Sequence, residues 1–283
     1  MRTFSTARFG AAAQFQHFNV KPICRTLGNG FGYVCWRRPS LLSEANKEGL
    51  YQSIIGVASQ TFGDDMTPYW KGRAADKYLE KVTRVFLVMD ARQLVGWTGY
   101  HRWRVNGHTC IYIDATGMLP HLQKSGVMTQ LFGSFLAYEF LRNRLRPIFI
   151  AMRSESPVVY HAFFRVVGMQ NIYPNLQQRP TPEAVEIGMH VAKWLHQDEK
   201  FEPTTFRVRN AFDGPCPWRW SPTLEALKVE HPVCPDQQIN SFFAEQLQPE
   251  DAFIIVAKME ASMSAKLLVR ALRQKYAAKK RPL

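Results

Sequence analysis

In the stretch LPHLQKSGVMTQLFGSF, Leu119 to Phe135, a lone glycine stands where apolar β-like sequence gives way to a helical pattern. A helix start offers backbone N–H groups that lack an intrahelical acceptor, at the positive end of the helix dipole. Gly126 at that point lets an anion approach the backbone closely, because no Cβ intervenes. The chemistry suggested is phosphate binding. A second chemistry is proton transfer. Asp114 lies on a β-like run with Tyr112 on its face and Ile111 and Ile113 opposite. A partly desolvated carboxylate there can take up a proton directly or through water. His101, on the neighbouring run, is of the residue type that exchanges protons near neutral pH. Glu155 and His121 are further candidates.

These residues need elements to hold them. A helix is predicted from Ser43 onward through EANKEGLYQSIIGVASQTF, with Leu50, Ile54, Val57 and Ala58 at three- and four-residue spacings. Asp64, Asp65 and Pro68 end it. A short helix is predicted over Gly72 to Val82. Three β runs follow, 83–90, 94–105 and 109–119, and Asn106-Gly107 makes a tight hairpin, so the three form an antiparallel meander. A long helix over 126–144 places Val127, Leu131, Phe135, Tyr138 and Leu141 on one side. Arg142, Arg144 and Arg146 gather where positive charge suits the helix end. A strand at 146–154 and a short helix at 156–169 complete the run, with Pro157 in its first turn and Gly168 at its stop. Residues 170–222 differ in character, with the helix-like PEAVEIGMHVAKWLHQ and then GPCPWRWSP. A last strand, 252–260, precedes a helical tail with Ala261, Ala265, Leu268, Leu272 and Tyr276 on one face.

Hydrophobic residues make up 46% of the 283-residue chain, enough for a sizeable core and too many for a disordered one. The net charge of +13 is not spread evenly. Arg2, Arg8, Lys21, Arg25, Arg37 and Arg38 fall in 1–43, and Lys266, Arg270, Arg273, Lys275, Lys279, Lys280 and Arg281 in 261–283, with no acid in either stretch. Those basic residues equal the whole surplus, so the body between is neutral. Basic ends suit an acidic partner. The five cysteines, Cys24, Cys35, Cys110, Cys216 and Cys234, show no C-x-x-C spacing. Neither a disulfide framework nor a metal site is expected, and a reducing, cytoplasmic setting fits. The acid-free, Arg- and Ser-containing start makes mitochondrial targeting the alternative. No apolar run approaches the ~18 residues of a membrane span. GNGFG at 28–32 lacks a following Gly-Lys-Ser/Thr, and neither G-x-S-x-G nor H-E-x-x-H occurs.

Strand, P-H-L-Q-K-S-G-V-M, long helix, strand, and short helix ending in Gly-Met: this order resembles the GNAT acyltransferase superfamily. Its P-x-x-Q/R-x-x-G-x-G/A pattern is matched by Pro120, Gln123 and Gly126, while Met128 stands where Gly or Ala is preferred. YHAFFRVVGM is similar to the family's A-x-x-L-Y-x-x-x-G-F, with Phe163 at the Leu and Gly168-Met169 at the end. The resemblance spans about 41–170 plus the last strand. It implies an α/β (α+β) fold: a mixed, mostly antiparallel central sheet with splayed fourth and fifth strands, flanked by helices. The implied domain is 41–260 with an insertion at 170–222, between a basic extension, 1–40, and a basic tail, 261–283.

The resemblance further implies transfer of an acetyl or longer acyl group from coenzyme A to an amine by direct attack. Gln123, Lys124, Ser125, Gly126, Val127 and Met128 would cradle the pyrophosphate. Backbone groups of Thr116, Gly117 and Met118 would carry the pantetheine arm, with the Met118 N–H facing the thioester oxygen. Ser156, Tyr160 and Phe164 fall on the donor side of the short helix. Phe164 replaces the tyrosine that many members use to protonate the leaving thiolate; Tyr160, one turn earlier, is the substitute acid. A thiol's pKa near ~8.5 lets the thiolate leave with little help. Asp114 is the first choice of base and His101 the second. The acceptor is an amine on a small molecule, peptide or protein, and Trp218, Arg219 and Trp220 make a substrate wall, an exposed lid or a packed loop. Competing readings are a donor presented by an acidic carrier protein, which Met128 and the basic ends favour, and a catalytically inactive binding protein, which Phe164 and Met128 favour. Nucleic acid is the least supported partner.

Overall fold

The computed structural model describes residues 10–27, 30–91, 93–123, 125–211, 233–248, 250–260 and 262–263. Expectations for Lys124, for Trp218, Arg219 and Trp220, and for the tail beyond 263 lie outside the described residues. The chain divides into two compact units: Met1–His101 with Asp114–Glu139 and Ala265–Leu283, and Arg102–Ile113 with Phe140–Ser264. Strands β4 (Leu94–Val105) and β5 (His108–Met118) contribute to both. Their hairpin turns at Asn106 and Gly107, both at positive φ (45° and 84°), as the Asn-Gly pair predicts.

In the first unit β1 (Ile23–Thr26), β2 (Gly32–Trp36) and β3 (Arg84–Met89) precede β4 and β5, and the sheet order is β1-β2-β3-β4-β5. The first three pairings are antiparallel, with Ile23 opposite Cys35, Trp36 opposite Val85 and Arg84 opposite Tyr100. Sequence reading missed β1 and β2, which are short and carry Arg25 and Gly32 among their apolar residues. Helix α1 (Glu44–Phe62) starts where Ser43 accepts from the Asn46 N–H and stops at Gly63, φ 68°. It buries Leu50, Ile54, Val57 and Ala58, the predicted face.

Two expectations need correction. The helix predicted at 72–82 is two helices, α2 (Thr67–Ala75) and α3 (Tyr78–Lys81), because Lys77 adopts φ 56° and turns the chain. Pro68 accordingly opens α2 rather than merely ending α1. Helix α4 (Val127–Arg142) buries Val127, Leu131 and Phe135 as expected, but Tyr138 and Leu141 are exposed. Glu139 is buried instead: Tyr100 donates to its carboxylate at 2.6 Å and Arg84 pairs with it at 3.6 Å. The Arg84 guanidinium also covers the Tyr138 ring at 4.2 Å.

In the second unit the order is β5-β6-β10-β9-β8, with β6 at Ile148–Ser154, β8 at Phe201–Glu202, β9 at Arg207–Val208 and β10 at Ala252–Met259. β7 (Ile172–Tyr173) also pairs with β10. β5 and β6 run parallel over four pairs, from Thr109–Ile148 to Tyr112–Ala151, and the other pairings are antiparallel. Helices α5 (Pro157–Val167), α6 (Pro182–Trp194) and α7 (Gln237–Gln246) belong here. α6 buries Ala184, Ile187 and Val191 in one cluster with Ile254 and Val256 of β10, so part of the 170–222 segment is core. Each unit thus joins helices to a mostly antiparallel sheet, the fold class that the resemblance implies. Among the described residues no helix is long and apolar enough to cross a membrane.

Candidate functional site

Asp114 and His101, expected separately, meet in the first unit. Asp114 projects from β5 and His101 from β4, and His101 Nε2 lies 3.1 Å from Asp114 Oδ2. The other ring nitrogen, Nδ1, is 3.2 Å from the Lys81 carbonyl. A carbonyl only accepts, so Nδ1 carries a hydrogen and donates it. The turn at Lys77 that separates α2 from α3 brings Lys81 and Tyr78 to this place; the Tyr78 ring meets the His101 ring edge-on at 6.1 Å. Asp114 also accepts from its neighbour's amide, Ala115 N–H to Oδ1, 2.8 Å.

The third member is Arg73 on α2, whose guanidinium donates to Asp114 Oδ2 and lies 4.4 Å over the Tyr78 ring. Sequence reasoning missed it. No spacing signal links Arg73 to a residue 41 positions away, and the predicted helix began only one residue before it. His101 is 1% exposed and Asp114 9%. Burial by itself pushes the Asp114 carboxyl up, but the Arg73 charge, the His101 contact and the Ala115 amide together hold it well below the usual carboxylate range. Burial pushes the Tyr78 phenol well above its ordinary value, so Tyr78 stays neutral.

The phosphate-type loop is in the same unit. After β5, a single 3-10 turn, Pro120–Leu122, leads to Gln123. Gln123 binds inward, its N–H to Pro120 O at 3.2 Å and its Nε2 to Met118 O at 3.3 Å. The Ser125 N–H donates to Leu122 O, 3.2 Å. Gly126 then adopts φ 80°, and a Cβ added there would meet nothing within 4 Å. Its carbonyl accepts the first helical bond, from Gln130, and no acceptor for its own N–H is found among the described residues. Ser125 and Gly126 are exposed, Val127 is buried and Met128 half-buried. The Gly126 backbone is thus exposed at the helix start.

On β5 the residues expected along the thioester arm are held from β4. Thr116 Oγ1 is 2.7 Å from Thr98 Oγ1, and the Leu119 N–H donates to Val95 O at 2.9 Å. Gly117 is required by close approach: a Cβ would collide with the Trp97 ring lying on the strand. Met118 is buried beside Gly96.

Ser156, Tyr160 and Phe164 belong to the second unit. Ser156 precedes α5 and its carbonyl accepts from the Tyr160 N–H at 3.2 Å. Tyr160 is 0% exposed, and its hydroxyl donates to Pro174 O at 2.7 Å. Burial pushes that phenol up as well. Phe164 is half-buried, with its ring tilted at 35° to that of His161, 6.2 Å between ring centres. Among the described residues no group of three His, Cys, Asp or Glu side chains is placed to hold a metal.

No protein-family model matches the chain, and no curated protein matches it either. Solved structures similar to it include an aminoglycoside acetyltransferase from an uncultured soil metagenomic sample, 15% identical over 40% of this chain and 74% of that one, with a TM-score of 0.32. A GNAT family acetyltransferase from Brucella melitensis, solved with acetyl-CoA, is 14% identical over 42% of this chain and 74% of that one, TM-score 0.29. An IAA acetyltransferase from Bacillus cereus is 9% identical over 80% of this chain and 99% of that one, TM-score 0.37. Likeness this distant says nothing of donor, acceptor or residue roles in this chain.

Proposed function

We propose that this chain is a GNAT-type N-acyltransferase, moving an acyl group from a coenzyme A thioester to an amine. The observation that carries the proposal is the helix start at Gly126, after β5, exposed and with no acceptor for its N–H among the described residues. First-turn amides and the helix dipole suit a pyrophosphate. With the Gln123 and Ser125 amides already bonded and the Val127 N–H turned to Ser125 Oγ at 3.5 Å, the groups for the anion are those of Gly126 and of the α4 turn after Val127.

In the reaction the amine nitrogen attacks the thioester carbon, a C–N bond forms, the C–S bond breaks, and the sulfur leaves as thiolate. The attacking nitrogen must shed a proton. Asp114, held ionised by Arg73, is a weak proton acceptor; it serves better to orient His101, and the His101–Asp114 pair receives the proton directly or through water. The thiolate takes its own proton from solvent, since the Tyr160 hydroxyl is committed to Pro174. That commitment, with Phe164 in place of tyrosine, also supports a second reading: a protein that binds coenzyme A without turning it over.

One experiment separates them. Calorimetric titration with coenzyme A, followed by release of free thiol from acetyl-, octanoyl- and palmitoyl-CoA with an amine panel, should show binding and transfer. Binding with no transfer from any donor selects the second reading. Absence of binding removes both.

A further inference from the structure

Among the described residues, three buried donors of the first unit have no acceptor: the indole Nε1 of Trp70, that of Trp97, and Nε of Arg73. Their side chains belong to one aromatic cluster. The Trp70 ring stands 6.3 Å from that of Trp97 and 5.7 Å from that of Tyr78, over which the Arg73 guanidinium lies. Trp70 and Arg73 are one turn apart on α2, while Trp97 comes from β4. Tyr51 and Phe62 of α1 complete the aromatic wall, the first against Trp70 and the second against Trp97.

A buried N–H without a partner is destabilising, and native folds keep few of them. Indole and guanidinium groups only donate, so these three cannot satisfy one another. What they call for is a group that only accepts. The positive charge of Arg73 favours an anion, and a carboxylate offers lone pairs on two oxygens, matched to a guanidinium edge. Arg73 already gives one terminal nitrogen to Asp114. A carboxylate at its Nε would therefore sit one guanidinium away from the His101–Asp114 pair. An acceptor reaching both has its amine and its carboxylate only a few bonds apart.

We infer that Trp70, Arg73 and Trp97 bind the carboxylate of the acceptor, and that the acceptor is an amino acid. The amine half of this inference rests on the acyltransferase reading; the carboxylate half stands on the unpaired donors alone. The test is calorimetry on the full chain without any donor, using matched pairs: phenylalanine against phenethylamine, leucine against isoamylamine, arginine against agmatine. At least one amino acid should bind 10-fold or more tightly than its decarboxylated partner. Trp70→Phe and Trp97→Phe keep an aromatic ring and remove the N–H; each should shrink that preference several-fold, with the unfolding midpoint measured alongside to confirm folding. Equal affinities within every pair, or no amino acid binding at all, would overturn the inference. Acyl transfer is scored separately. Carboxylate-selective binding without transfer to any amine sinks the acyltransferase reading and upholds the carboxylate site; transfer that is indifferent to the carboxylate does the reverse.

Discussion

A carboxylate on a buried strand can act as a base, an anchor or a counter-ion, and its neighbours decide among these. At Asp114 the neighbours are a guanidinium, an imidazole and an amide, all directed at the same two oxygens. The guanidinium and the amide favour the ionised form, and with Nδ1–H given to the Lys81 carbonyl the site left on the pair for an incoming proton is His101 Nε2, facing Asp114 Oδ2. His101→Gln should therefore lower kcat about 100-fold, within the ordinary range for a lost acid–base group, while the KM for the acyl donor changes little. Equal losses in kcat and in donor binding would instead mark His101 as structural. Arg73→Met strips the main counter-charge from a buried carboxylate. Breaking a buried pair on one side is expected to cost about 3 kcal/mol, read from urea denaturation. Arg73→Lys, which keeps the charge but not the fork, should recover part of it.

Glycines at two elements make opposite demands. At Gly117 the limit is space, because the Trp97 ring lies against the strand; Gly117→Ala must displace ring or backbone and should cost about 1–3 kcal/mol of stability. At Gly126 space is open and the limit is φ 80°, so Gly126→Ala pays only for a left-handed backbone, about 1–2 kcal/mol, and its larger effect should appear in coenzyme A affinity. A calorimetric Kd for the second variant equal to that of the parent would count against a phosphate at this helix start. The same elements show what sequence could reveal. The apolar stripe of α1, the three-strand meander and the Gly126 helix start all follow from local periodicity and turn chemistry, and were legible. The break at Lys77 was not, since nothing in GRAADKYLEKV forbids a continuous helix. Nor was the true buried face of α4: Tyr138 and Leu141 fit an apolar stripe, but Glu139 is drawn inward by Arg84 and Tyr100 from distant strands. In the site, Asp114 and His101 were visible by residue type and strand position, whereas Arg73 became visible only once α2 was in place.

Across the whole molecule, each unit holds a carboxyl that titrates lower folded than unfolded. Asp114 is an example in the first, and Glu202, bonded to Arg207 and Arg209 and lowered to about 2, is one in the second. A depressed pKa contributes stability that is complete above the unfolded value and lost as pH falls through the folded one. For Glu202 the loss runs from its ordinary 4.5 down to about 2. Urea midpoints should hold steady from neutral pH to about pH 5 and decline below it, and Asp114→Asn should flatten part of that decline. The short parallel ladder has a consequence of a different kind. In β5 the residues from Thr109 to Tyr112 belong to the pairing with β6, and those after Tyr112 do not. Deuterium uptake along this single strand should change at that point, slow before and faster after. A thioester whose amide-rich arm lies along the faster half would slow it selectively, giving a footprint of the donor that requires no substitution at all.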